Sequence, residues 1–228
     1  MFINILLYFL LLEKTLAKIL FGCACKKVHI CYNIGNIFRE GITMKLWQHF
    51  KTITRHRWLV MKGCFRIGLY WQGLTHDLSK YAPTEFLTGA RYYQGVRSPN
   101  SAEREEKGYS IAWMHHKGRN PHHYEYWTDL SPKTKNYEPI PVPRKYLAEM
   151  VMDRRAACLV YEGKNYTPGS ALAYLHRSRE KDLMHPETRR ALEYILTMLK
   201  DEGEEKTFRY LRKELLKGKP FPWEEAGA

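Results

Sequence analysis

From Lys45 to Ile67 the apolar residues Leu46, Phe50, Ile53, Val60, Cys64 and Ile67 recur at intervals of three, four or seven, the stripe of an amphipathic helix. Gly68 is a natural stop, and a short second helix is expected over residues 70–78. Pro83 suits the first position of a third helix that carries residues 85–93. Asn100 with Glu103 predicts a capping-box start for one helix that includes Ile111, Trp113 and Met114, ends near His116 and is closed by Gly118. Residues 117–143 hold Pro121, Pro132, Pro139, Pro141 and Pro143 and read as irregular. Further helices are expected over 144–161, from Pro186 through Met198, and from Glu204 to Leu216. No stretch alternates with period two for long enough to argue a sheet, so the chain reads as all-α.

The 228 residues suffice for one sizeable core, and 44% hydrophobic content with 14% aromatics can fill it. A single compact helical domain over 44–217 is expected, followed by a flexible tail over 218–228. The net charge of +13 favours an anionic partner, such as a nucleotide, a nucleic acid or a phosphorylated metabolite, without naming one. Five cysteines, three of them at Cys23, Cys25 and Cys31, form no even framework and suit a reducing, cytoplasmic setting.

The apolar run Phe2 to Leu12 lacks the preceding positive charge of a signal peptide, and Glu13 and Lys14 end it well short of the roughly 20 residues of a membrane span. Arg39-Glu40-Gly41 back-translates to a purine-rich ribosome-binding sequence just upstream of a methionine codon at Met44. Residues 1–43 are therefore expected to be a non-native leader, with a membrane anchor or signal segment as the rival reading. If the protein starts at Met44, no membrane partner is expected.

The chemistry centres on GLTHDLSKYAPTEF, residues 73–86. An imidazole and a carboxylate suit one divalent ion, although an isolated His-Asp is more often a capped, solvated helix end. His49, His56, His115, His116, His122, His123 and Asp153 lie in the same body. On one continuous helix His56 and His76 would be about 30 Å apart, so sharing an ion demands a chain reversal, for which Gly68 is placed. Folding there puts His56 about 18 Å and His76 about 12 Å from the turn, whereas His49 would stand at about 28 Å and fits less well. Asp153 borders the apolar stripe of its helix; a structural salt bridge to Arg154 is the alternative. For His56, flanked by Arg55 and Arg57, the alternative is a solvated basic face.

The order His56, His76-Asp77, Asp153 on successive helices resembles the HD-domain superfamily of metal-dependent phosphohydrolases, and Lys80 is similar to that of its HD-x-x-K variant. The resemblance covers roughly residues 44–161. It implies an all-α HD-like domain of about six to eight helices and four metal ligands in that order. HDLSKYAPTEF together with HHKGRNPHHYEYW (115–127) is similar, more narrowly, to a family of small bacterial and phage proteins carrying a domain of unknown function, from Met44 almost to the C-terminus.

The resemblance implies that His56, His76, Asp77 and Asp153 hold an ion such as Mn, Fe, Zn, Co or Ni, which activates water against a phosphate. Lys80, Arg119 and Arg154 are expected to meet phosphate charge. His115 or His116 is expected to serve a second ion or protonate the leaving group, and His122 and His123 to shape the substrate pocket. Glu85 is a candidate general base, or else a first-turn acid that favours the helix dipole. Tyr124, Tyr126 and Trp127 suit either base stacking or core covering. Two functions are expected: a phosphohydrolase acting on a nucleotide or related phosphate ester, or a non-catalytic nucleotide- or nucleic-acid-binding protein. The oligomeric state is not legible.

Overall fold

The computed structural model describes residues 28–177 and 183–225. The chain divides into two units, Met1–Met44 and Lys45–Ala228. Residues 1–27 of the expected leader lie outside the described residues. The α-helices are α1 (Val28–Ile67), α2 (Tyr70–Thr75), α3 (Pro83–Arg91), α4 (Pro99–Lys107), α5 (Ile111–Lys117), α6 (Arg144–Tyr161), α7 (Ser170–Arg177), α8 (Pro186–Lys213) and α9 (Pro222–Glu225). The architecture is all-α. Its one described sheet is a small antiparallel pair, β1 (Thr128–Leu130) and β2 (Tyr137–Pro139), with Asp129 opposite Glu138. Among the described residues no helix is long and apolar enough to cross a membrane.

Helix α6 is the axis of the core. Residues Leu147, Ala148, Glu149, Met150, Val151 and Met152 are buried consecutively, so it is covered on all sides rather than along one stripe. Val60, Cys64 and Ile67 of α1, Leu175 of α7, and Leu192, Ile195, Leu196 and Leu199 of α8 surround it, each at 1% exposure or less. That burial is the dominant favourable term of folding.

Two boundaries differ from the pattern. The helix expected from Asn100 to His116 is two helices: Gly108, at φ 81°, closes α4, and the Ser110 side chain restarts the chain by accepting from the Trp113 N–H. Glu103 does not close a capping box; it accepts from Ser110 Oγ at 2.6 Å and joins the two helices across the break. The two helices expected around residues 199–203 form one, α8, interrupted at Gly203 (φ 79°, ψ 177°), the same place as the expected gap. Helix α7 went unforeseen. In the segment expected as a tail, Phe221 is buried and stacks on Trp223 at 4.6 Å.

The reversal at Gly68 is built as expected. Gly68 has φ 90°, a backbone region that residues with a Cβ avoid. Beyond it α2 returns along α1: Gly73 lies against Cys64 and Phe65, and Arg57 donates to the carbonyls of His76 (2.7 Å) and Leu74 (3.0 Å). His56 and His76 are thereby brought side by side, with ring centroids 5.6 Å apart.

Candidate metal centre

In a continuous helix His76 and Asp77 would diverge by about 100°. Here α2 ends at Thr75, and Asp77 adopts the left-handed conformation at φ 53°, rare for a residue with a side chain. The break turns both side chains into one interior, where His76 is 2% and Asp77 0% exposed. Local backbone strain at such a point is a mark of functional sites.

Each oxygen of Asp77 faces a different set of ligands. Oδ2 lies 3.5 Å from His56 Nε2 and 3.3 Å from His76 Nε2. Asp153 Oδ1 closes that set, 2.9 Å from His56 Nε2 and 3.5 Å from His76 Nε2. Oδ1 of Asp77 lies 3.2 Å from His116 Nε2 and 3.4 Å from His122 Nε2, with His123 completing a second group. Within each group the donor atoms lie within 4.8 Å of one another. Oδ1 of Asp77 and the Nε2 atoms of His56, His76, His122 and His123 are buried and make no hydrogen bond, while Asp77 Oδ2 is paired with Lys80 Nζ at 2.6 Å. Orphaned polar atoms that approach closely without hydrogen-bond geometry are costly unless something polar sits among them. Around an ion with bonds of about 2.0–2.2 Å, neighbouring ligand atoms lie roughly 2.9–3.5 Å apart, the separation found here. The residues therefore fit one ion at His56, His76, Asp77 and Asp153, and a second beside Asp77 Oδ1.

A ring of carboxylates orients the imidazoles from behind. His76 Nδ1 donates to Glu149 Oε1 at 2.9 Å, and His122 Nδ1 lies 3.2 Å from the same oxygen. His116 Nδ1 donates to Glu85 Oε2 at 2.8 Å. With Nδ1 carrying the proton, Nε2 of each ring keeps its lone pair for the centre, the arrangement common behind metal-bound histidines. Asn120 Nδ2 braces the loop by donating to the His116 carbonyl (2.7 Å) and to Ser79 Oγ (2.9 Å).

At these imidazoles a proton and a cation compete for the same lone pair. Burial alone would lower the pKa of His76 and raise those of Asp77 and Asp153. Mutual attraction reverses this, holding His76 well above the ordinary histidine range and both aspartates well below theirs. His123 moves in the opposite direction, well below its usual value, through burial and the neighbouring His122 and His116. Four carboxylates, Asp77, Glu85, Glu149 and Asp153, thus converge in a largely buried space where Lys80, 2.6 Å from Asp77 Oδ2, is the nearby ammonium. Divalent cations would take the place of the imidazole protons that otherwise balance those carboxylates.

A family model matches residues 45–198, a span that contains every residue of both groups. The chain belongs to the family of unknown function DUF5662. No curated protein and no solved structure matches it. The cluster of this DUF5662 chain is compatible with an HD-like site, although no HD-domain family is identified.

Above the cluster opens a cavity of about 850 Å³ with His56, His116, His122, His123 and Asp153 on its walls. Of the residues expected to meet substrate, Lys80 and Arg154 line it. Arg119 does not: it is exposed and donates to the His115 carbonyl at 3.1 Å. His122 and His123, expected to shape the pocket, stand among the possible ligands. His115 is in neither group; its Nδ1 donates to Glu85 at 2.6 Å, the carboxylate that also holds His116. Glu85 also lines the cavity, with one oxygen on His115 and the other on His116. His49 stands outside both groups, packed against Phe86 and Tyr93. Of the aromatic segment, Tyr124 is buried on the cavity wall, Tyr126 is exposed, and Trp127 donates to the Pro121 carbonyl and packs on Tyr146.

Sequence reasoning missed Glu149, and a signal existed: it precedes Asp153 by four residues, one helical turn, and so shares its face. Arg97, Arg104 and Trp113 on the cavity wall carried no such signal, because the connection between α3 and α4, α4 itself and α5 bring them there from separate stretches.

Proposed function

We propose that this DUF5662 protein is a cytoplasmic metal-dependent phosphohydrolase acting on a nucleotide or a related phosphate ester. The observation that carries the reading is Asp77, whose two oxygens face two ligand groups at the base of a cavity walled by cationic and aromatic side chains. Divalent ions held there would acidify a bound water and draw charge from phosphorus. Lys80 adds a positive charge 2.6 Å from Asp77, where a phosphate oxygen approaching the cluster would meet it. Arg104 and Lys117 carry further charge on the walls for phosphate oxygens. Trp113 and Tyr93 offer flat faces to a base. In hydrolysis the P–O bond to the leaving group breaks as water oxygen joins phosphorus, and the leaving oxygen takes a proton. The free thiols of Cys64 and Cys158 suit a reducing compartment.

The test is elemental analysis of the purified full chain with hydrolysis assays across a nucleotide panel in manganese, cobalt or nickel. Stoichiometric transition metal with turnover of at least one phosphate ester is expected. Metal without turnover would leave a metal-stabilised binding protein, and neither metal nor turnover would overturn the reading.

A further inference from the structure

The hairpin of α1 and α2 has a second face, turned away from the cluster. Between Lys45 and Thr75 the chain holds no aspartate or glutamate and six basic residues: Lys45, Lys51, Arg55, Arg57, Lys62 and Arg66. Trp47, Trp58 and Phe65 follow one another at intervals of eleven and seven residues, near-whole numbers of helical turns, so they share one side of α1. Ile53, Val60 and Cys64, which are buried, lie about 100–140° away around the helix, and the three aromatics are 53%, 49% and 37% exposed. Phe65 meets the Tyr70 ring at 5.3 Å, which carries the apolar surface across to α2, where Trp71 is 73% and Leu74 50% exposed.

Cations are interleaved with these rings. Lys62 Nζ stands 3.6 Å over the Trp58 ring and Lys51 Nζ 5.1 Å over Trp47. Among the described residues Lys45, Lys51, Arg55 and Lys62 have no acidic partner, whereas Arg66 is paired with Glu204 and Glu205 and Arg57 is spent on backbone carbonyls. A monomeric soluble protein rarely leaves contiguous apolar surface of this kind open.

We propose that this face docks peripherally on an anionic lipid surface. Tryptophan and tyrosine sit favourably at the boundary between headgroups and acyl chains, while lysines on the same helix reach the headgroup charge. A second copy of the chain is disfavoured, because two acid-free basic faces repel. Nucleic acid would use the cations and the rings but has no use for the aliphatic Leu74, which is 50% exposed. The inner side of the same hairpin carries His56 and His76, so docking would hold the metal centre one helix thickness from the membrane. The proposal does not depend on the reaction proposed above.

The test is sedimentation of the full chain with vesicles of phosphatidylcholine alone and with vesicles of equal parts phosphatidylcholine and phosphatidylserine. Wild type should sediment with the second and not the first, and added salt should release it. Trp58→Ala/Trp71→Ala and Lys51→Glu/Lys62→Glu should each weaken binding about tenfold or more, in proportion to the lost insertion and charge. All four side chains are exposed, and unchanged thermal midpoints and metal content in the variants would show that the fold is intact. Failure of wild type to bind the anionic vesicles would overturn the proposal. So would binding that both variants retain, since the apolar stretch at residues 2–12 would then be its source. Retention of a single-stranded oligonucleotide that the same variants abolish, with no vesicle binding, would transfer the face to nucleic acid.

Discussion

Glu149 Oε1 lies 2.9 Å from His76 Nδ1, one helical turn along α6 from Asp153. One helix therefore supplies both a possible ligand and the anchor that aims another, so its rigidity is transmitted to the centre.

Glu149→Ala should leave the ligand atoms in place but free the rings of His76 and His122, weakening metal affinity about 10- to 100-fold. Glu149→Gln, which can still accept a hydrogen bond, should lose less. Titration of the metal-free protein with manganese or zinc reads both. Equal affinity in wild type and Glu149→Ala would remove Glu149 from that role.

Asp77 and Asp153 separate the two ligand groups. Asp77→Asn should reduce metal content in both, because each group uses one of its oxygens, whereas Asp153→Asn should affect only the group with His56 and His76. Elemental analysis of the two variants beside wild type distinguishes them. Full metal occupancy in Asp77→Asn would contradict a shared carboxylate.

His49 should make the fold acid-sensitive in a defined window. Burial, with help from Lys80, lowers its pKa from 6.5 to about 4. Between those values the unfolded chain binds a proton that the folded protein does not, so stability falls as pH drops from 6.5 toward 4, by on the order of 3 kcal/mol. His49→Gln cannot titrate. The urea midpoint of wild type minus that of the variant should decline over that window, and a constant difference would contradict the assignment.

Two glycines should respond to alanine for different reasons. At Gly68 a Cβ meets nothing within 4 Å, so Gly68→Ala should cost about 1–2 kcal/mol through its φ of 90° alone. At Gly89 a Cβ would lie near His49, whose Nε2 and Cε1 are 2.4 and 2.6 Å from the ideal position. Gly89→Ala should cost about 1–3 kcal/mol through overpacking. His49→Ala should suppress the second penalty and leave the first, as a double-variant cycle of thermal midpoints would show.

Much of the helical order was legible because it rests on local rules: the stripe on α1, Gly68 as its stop, Pro83 and Pro186 at helix starts, and the span of α6. The misreadings have local causes too. Glu103 satisfied a capping-box pattern yet bonds to Ser110, and Gly108, a weak signal alone, divides the segment. Tyr124 and Trp127 became wall and core because residues distant in the chain pack on them, which no aromatic count foretells.

Pattern and spacing alone determine that the chain is helical, where it can turn back, and that His56 and His76 can meet if it does; the joining of Asp153 to them was implied by the family resemblance. The inferences from pattern need only periodicity, rise per residue and the conformational freedom of glycine. The left-handed turn at Asp77, the division of its two oxygens between ligand groups and the choice of His116 over His115 arise from packing. They depend on the mutual orientation of α1, α2, α5 and α6, which is set by a core assembled from residues far apart in the sequence.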